Sequence, residues 1–509
     1  MRRSTAFIAP LVVVYCFGQP LVREATAITL LHEFAGGAND GSEPVAGLTL
    51  NGSTLFSTTL AGGDNDGGTI FSINTDGSGY TPLHEFAGGA NDGREPTAGL
   101  TLSGSTLFGT TRDGGDYNAG TIFAMNTDGS GFTLLHKFAG GASDGSQPAD
   151  LTLSGATLFG TTRYGGDNDG GTIFSIQTDG SGYTPLHGFA GGANDGANPF
   201  AALTLSGANL FGTTKEGGDN NRGTIFSINT DGSGFTLLHE FAGGVNDGDD
   251  PYGLTQSGST LYGMTQGGGD HSRGTVFSIN TDGSGFTLLH EFAGGADDGQ
   301  HPQAELTLSG STLYGTTVEG GNNDLGTIFA INTDGNGFTL LHEFAGGTND
   351  GITPAAGLTR SGSTLYGTTL RGGDFNLGTV FSIEIPDVDL EGDYNDDNSV
   401  DAADYVVWRK NASQSYETWR TLFGQSGPNP PGDFNSDHNV DTADYVVWRK
   451  TIQAGYNTWT TNFAESSGGG AGSAGASSSP MSAPEPASVL LLALGVVTCG
   501  VRTRSERQG

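Results

Sequence analysis

One block of sequence recurs seven times along this chain, and that recurrence limits what it can fold into more than any other feature. The histidine of an LHEF-like segment marks time at His32, His84, His136, His187, His239, His290 and His342, at spacings of 51 or 52 residues. A unit that returns at a fixed period is one supersecondary element, stabilised by stacking on its own copies.

Within a unit the apolar residues alternate with a period of two, and no stretch follows the 3.6-residue period of a helix. Residues 98–138 read AGLTLSG, STLFGTT, GTIFAMN and FTLLHKF, four short strands punctuated by glycine. A tight Ser-Gly turn joins the first two. Asn-Thr-Asp-Gly-Ser-Gly joins the last two, with Asp-Gly suited to positive φ. Four strands per unit, repeated seven times, predict an all-β, seven-bladed β-propeller with four-stranded blades. The ends support closure, because the region opens with a lone fourth strand at 28–34 and stops after a third at 378–385. An N-terminal strand that completes the last blade would leave no exposed edge. An open solenoid is the rival arrangement.

On the fourth strand, simple alternation places Phe132, Leu134, His136 and Phe138 on one face and Thr133, Leu135 and Lys137 on the other. The histidine never changes and is expected as a packed, hydrogen-bonded core group. The Lys137 position is Glu in five units and Gly188 in another, the pattern of a solvated site. Variation gathers after the second strand, at Leu60-Ala61, Arg112-Asp113, Arg163-Tyr164, Lys215-Glu216, Gln266-Gly267, Val318-Glu319 and Leu370-Arg371. These loops and the connections between blades emerge on one side of the ring, where either recognition or drift would act. Acidic loops such as 62–67 and 90–93 are read as turn formers, since their spacing matches no calcium loop, with weak Ca²⁺ binding by the repeats as the alternative.

The block TLYGTTxxGGxxxxGTIFSI resembles the GloVer tandem repeat, a family of bacterial surface proteins that end in differing anchor types. Kelch propellers share the Gly-Gly after the second strand, but their tryptophan is missing here. The GloVer resemblance implies export and a propeller-like body, and it implies no enzymatic activity.

The 89 glycines of the 509-residue chain fit this density of turns, and a formal net charge of −35 argues against a nucleic-acid partner. Cations are the natural small partners. Arg2 and Arg3, an apolar run from Phe7 to Phe17 and the small-residue site Ala25-Thr26-Ala27 have the three-part plan of a signal peptide, residues 1–27. An uncleaved anchor is the alternative. The two cysteines, Cys16 and Cys499, lie in the leader and the C-terminal apolar run, so no disulfide staples the exported body.

After residue 386 the composition changes. Asp393, Asn395, Asp397, Ser399, Asp401 and Asp404 stand at positions 1, 3, 5, 7, 9 and 12 of one loop, with the position-7 ligand a backbone carbonyl. Asp433, Asn435, Asp437, Asn439, Asp441 and Asp444 repeat the pattern. Oxygen donors at these positions suit a hard cation of Ca²⁺ size, giving two calcium sites. Each loop runs into Tyr-Val-Val-Trp-Arg-Lys, read as a short amphipathic helix. Residues 388–466 are similar to a type I dockerin, which implies a small helical domain and a cohesin-type protein partner. Asn398 and His438 replace the usual glycine at position 6, and His438 accepts left-handed φ less readily. Without calcium the crowded carboxylates should keep this module unfolded.

A Gly/Ala/Ser linker at 467–482 precedes a tail, 483–509, in which Pro484, Glu485 and Pro486 lead an apolar segment, 487–501, followed by arginines. The order resembles a PEP-CTERM sorting signal, which implies processing by an exosortase-type protease and transient membrane contact. A plain tail anchor is the alternative. Together these parts, with the propeller at 28–386, read as a secreted, cell-surface or extracellular-matrix protein. Its wheel binds a glycan or protein and catalyses nothing, and its second module docks or stiffens. The alternative is a polysaccharide-active hydrolase or lyase. Such an enzyme should break the symmetry with carboxylates on one or two inner strands, and this reading finds none. Met264, His271 and His301 deviate singly.

Overall fold

The computed structural model describes residues 27–385, and within them every regular element is a β-strand. Seven four-stranded antiparallel sheets follow one another. In blade 1 the strands are Thr49–Asn51, Thr54–Thr59, Thr69–Asn74 and Thr81–Glu85, each paired to the next in sequence. The ring closes as the sequence predicts. Thr29–Glu33 is the fourth strand of blade 7, with Thr29 opposite Ser382 and Glu33 opposite Thr379. The segments expected to be a signal peptide (apart from Ala27), a dockerin-like module, a linker and a sorting tail lie outside the described residues, as do the expected calcium ligands and Pro484, Glu485 and Pro486.

Burial explains why the units cannot stand alone. Each blade turns an apolar face to either neighbour, and seven buried clusters fill the seven joints. At the joint of blades 1 and 2, Phe56, Ile70 and Phe86 meet Leu100, Leu107, Phe123 and Met125. Tyr366 and Val380 of blade 7 meet Leu48, Leu55 and Phe71 of blade 1, so the seam is as well filled as any other joint. Each fully buried Phe contributes about 2–3 kcal/mol by removal from water.

Two polar rings reinforce the joints near the axis. A threonine hydroxyl on each inner strand donates to a leucine carbonyl of the next blade: Thr49 to Leu100, Thr101 to Leu151, and so on to Thr359, which returns to Leu48. A second ring runs from the second strands, for example Thr58 to Ala98 and Thr368 to Ala46. Met264 interrupts it, fully buried where the other blades carry threonine.

The fourth strand corrects the alternation expected of it. A β-bulge falls between the residues paired to Ile122 and Phe123, so that Leu134 and His136 do not share a face. Phe132 and Leu134 pack on the preceding blade, whereas Leu135 and Phe138 pack on the following one. The extra residue lets one short strand serve both joints.

The histidines lie at the outer edge, packed and hydrogen-bonded. His84 stacks on Phe132 of the next blade at 3.8 Å between centroids and meets Phe86 edge-on. Its Nε2 lies 3.1 Å from Asp92 Oδ1, and the same clasp occurs in all seven blades, from His32–Asp40 to His342–Asp350. The aspartate comes from the loop between blades, and it also accepts from the backbone N–H groups of Ala87 and Gly93. The Lys137 column is likewise more than solvated. Glu85 accepts N–H bonds from Asn39 and Asp64, and Lys137 itself pairs with Asp116.

Candidate functional site at the mouth of the bore

Loops that vary in sequence meet on one side of the wheel. The connection between blades and the loop after the second strand form a two-stranded ladder there, as in Gly41–Ser42 with Ala61–Gly62. In blades 3 and 5 the ladder merges into one long inner strand, Gly145–Ser154 and Gly248–Ser257. These are the units one residue shorter than the rest, so the 51-residue spacings report a change at the mouth. Just inside each ladder a residue before proline takes left-handed φ, from Glu43 at 56° to Thr353 at 58°. For β-branched Thr353 this conformation carries strain, held by its N–H bond to Leu325 O.

Inside this rim the seven inner strands surround a cavity of about 420 Å³. Its narrow ring is Gly47, Gly99, Asp150, Ala202, Gly253, Glu305 and Gly357, one residue per blade at the same register. Five blades keep this position small. Two place an acid there. This overturns the sequence expectation that no inner strand carries a carboxylate. Asp150 was hidden by the one-residue deletion in blade 3, which shifts its column, whereas Glu305 stands in a full-length unit, where Ala-Glu-Leu-Thr replaces Ala-Gly-Leu-Thr. Aligning the units on Leu-Thr of the inner strand would have exposed both.

The two acids sit differently. Asp150 Oδ1 accepts the backbone N–H of Gly99 at 2.5 Å. Burial raises its pKa to about 6, and that hydrogen bond only partly offsets the effect. Glu305 lies over Gly253, where a Cβ would overlap its side chain, and it accepts no hydrogen bond among the described residues. Burial, with the charge of Asp150 added, raises its pKa to about 8. Protein encloses both groups while their tips face the bore. Near neutral pH one is a carboxylate and the other a carboxylic acid, so the pair can accept one proton and offer another.

Above them, symmetry fails a second time. Phe200 of blade 4 and Tyr252 of blade 5 line the same cavity and meet edge-on at 6.0 Å. Arg163 lies 5.4 Å and Lys215 5.0 Å from the Phe200 ring centre, and Lys215 donates to the Tyr252 hydroxyl at 2.8 Å. Both cations come from the variable pairs after the second strand. Arg112, at the same position one blade earlier, is paired with Glu95 and Asp113, and Arg371 with Glu43. Arg163 and Lys215 have no ion pair among the described residues. Burial lowers the pKa of Lys215, against the opposing field of Asp250. Of the singly deviating residues, Met264 is buried at a blade joint, and His301 sits on the rim with Nδ1 3.0 Å from Gln266 O.

The acidic loops act as local caps. Asp66 Oδ1 accepts the Gly62 N–H, and Asp92 uses its oxygens on His84, Ala87 and Gly93.

The Gloeobacter/Verrucomicrobia repeat matches the sequence at residues 20–214, 145–316 and 295–406. No curated protein matches it. Among solved structures, a chain of a nidogen/laminin complex is 19% identical over 55% of this chain and 88% of its own, with a TM-score of 0.35. Oligogalacturonate lyase in complex with manganese is 11% identical over 71% and 97%, at 0.45. The oligogalacturonate lyase of Vibrio parahaemolyticus is 13% identical over 70% and 93%, at 0.46. At these scores the assignment of seven blades rests on the strand pairing itself.

Proposed function

The chain belongs to the Gloeobacter/Verrucomicrobia repeat family, and on that premise we propose that it is an exported, non-catalytic binding scaffold whose ligand seats in the mouth of the bore. One observation carries this reading: in blades that otherwise repeat one plan, four unlike side chains, Phe200, Tyr252, Asp150 and Glu305, line a single cavity. The leader, residues 1–27, takes the chain out of the cytosol, and the PEP-CTERM-like tail with Pro484, Glu485 and Pro486 delivers it to an exosortase-type protease at the membrane. The wheel then displays its mouth at the cell surface or in the matrix. The dockerin-like module, 388–466, folds on two calcium ions held by the Asp393–Asp404 and Asp433–Asp444 loops and docks a cohesin-type partner or stiffens the stalk. Loop spacing supports this part, and calcium titration of the full chain followed by far-ultraviolet circular dichroism tests it: no gain of helix on ion addition refutes it.

A second reading is favoured by Asp150 and Glu305. A carboxylate and a carboxylic acid facing one bore are the groups a polysaccharide hydrolase or lyase uses. Incubating the full-length protein with soluble polysaccharides, while measuring both retention and new chain ends, separates the two. The scaffold predicts retention without new ends. Products lost in Asp150→Asn and Glu305→Gln would establish the enzyme.

A further inference from the structure

We propose that the Arg163–Phe200–Lys215–Tyr252 cluster is a subsite for an anionic sugar ring, a hexuronate unit of an acidic polysaccharide. This rests on the binding reading above and names its ligand class. Phe200 leaves 40% of its surface open, enough for the C–H face of a pyranose to lie on the ring. Arg163 and Lys215 lie over that ring, 5.4 and 5.0 Å from its centre, so a carboxylate on a sugar against its open part comes within their reach. Asn198 Oδ1 holds Arg163 at Nε, 2.9 Å away, leaving the terminal nitrogens free as a fork that fits a planar carboxylate. Lys215 supplies a point charge next to it, fixed by the Tyr252 hydroxyl.

The rest of the molecule sharpens this. With a net charge of −35 the protein offers anions few places to bind, so a uronate is held only where cations lack partners. Symmetry supplies the internal control, because Arg112 occupies the Arg163 position in blade 2 yet is neutralised by Glu95 and Asp113. Hydroxyls of the same sugar, or of its neighbour, would reach down the bore toward Asp150 and Glu305, which line the same cavity. An isolated small anion would satisfy the cations and leave Phe200 unused, whereas a neutral sugar would use Phe200 and leave the cations unpaired.

The test is calorimetric titration of the full-length protein with a mannuronate hexamer, a mannose hexamer of equal length, and polyacrylate of similar charge. The expected result is binding of the mannuronate hexamer alone. Phe200→Ala should weaken it about tenfold or more, Arg163→Gln with Lys215→Gln should abolish it, and Arg112→Gln should leave it unchanged, with circular dichroism confirming each fold. Polyacrylate binding as tightly, or Arg112→Gln weakening as much as Arg163→Gln, would reduce the site to general charge attraction and overturn the proposal. Mannose hexamer binding that Phe200→Ala removes would overturn the uronate subsite and leave the binding scaffold standing. Silence from every sugar would overturn both.

Discussion

The outer edge of the wheel and its bore obey opposite rules. At the edge, seven His–Asp clasps repeat with Nε2–Oδ1 distances of 3.1 to 3.3 Å, and six of the seven histidines stack on an aromatic ring of the next blade. Only at the seam does Ile28 pack in place of that ring, since the chain begins its fourth strand there. In the bore, by contrast, two acids stand in a ring of small residues, and two aromatics with two cations crowd one sector of the mouth. Joints must all close to the same angle, so their chemistry cannot vary independently. The bore lining carries no such constraint, and sequence is free to specialise there.

This contrast can be broken most forcefully at the joints. Phe174→Ala and Phe277→Ala empty equivalent buried positions, and each should cost about 3–5 kcal/mol, equal to within about 1 kcal/mol, in chemical denaturation. A large inequality would mean that the blades are not interchangeable structurally. The bore should respond with the opposite sign. Because burial raises the pKa of Glu305 from 4.5 to about 8, its penalty is absent in acid and grows as pH rises through that range. Glu305→Gln should therefore raise stability by up to about 4–5 kcal/mol at pH 9 and by nothing measurable at pH 4; a loss at pH 9 would show that the charged acid has a partner.

A clasp behaves in reverse. Burial opposes the charge of Asp144, but hydrogen bonds from His136 and the N–H groups of Ala139 and Gly145 outweigh it and hold the pKa below 3.8. Its contribution is complete above the ordinary carboxylate range and disappears as pH falls through the depressed value. Asp144→Asn should cost about 1–2 kcal/mol at pH 7, and thermal melts should show the gap closing below pH 3.8. The smallest effect is expected at Met264→Thr. It restores a threonine to the interrupted ring but opens space at a filled joint, so melts should shift by less than about 1 kcal/mol.

Much of this was legible from residue order. Period, strand number, turn residues and the closing strand all follow from local patterns, and the histidine was recognisable as a packed group because it never varies. What escaped depended on register. A bulge between Leu134 and His136 has no sequence mark, so alternation misassigned half of the fourth strand. The clasp partner, eight residues after each histidine, was read only as a turn former although the same aspartate recurs in every unit. Asp150 was missed because a deleted residue shifted its column out of line, Glu305 although its full-length unit shows it in place of the usual glycine, and the convergence of Arg163, Phe200, Lys215 and Tyr252 needs three blades at once.

The strand Thr29–Glu33 carries one more consequence, for how the molecule comes into being. Thr29 finds its partner only at Ser382, so the first strand made must wait for the last before it has anything to hold. Until then the growing array presents one unfinished blade, open to pairing with any neighbour's strand. Made N-terminus first, the wheel is latched only once its seventh unit is available, so no partial run of units can close it.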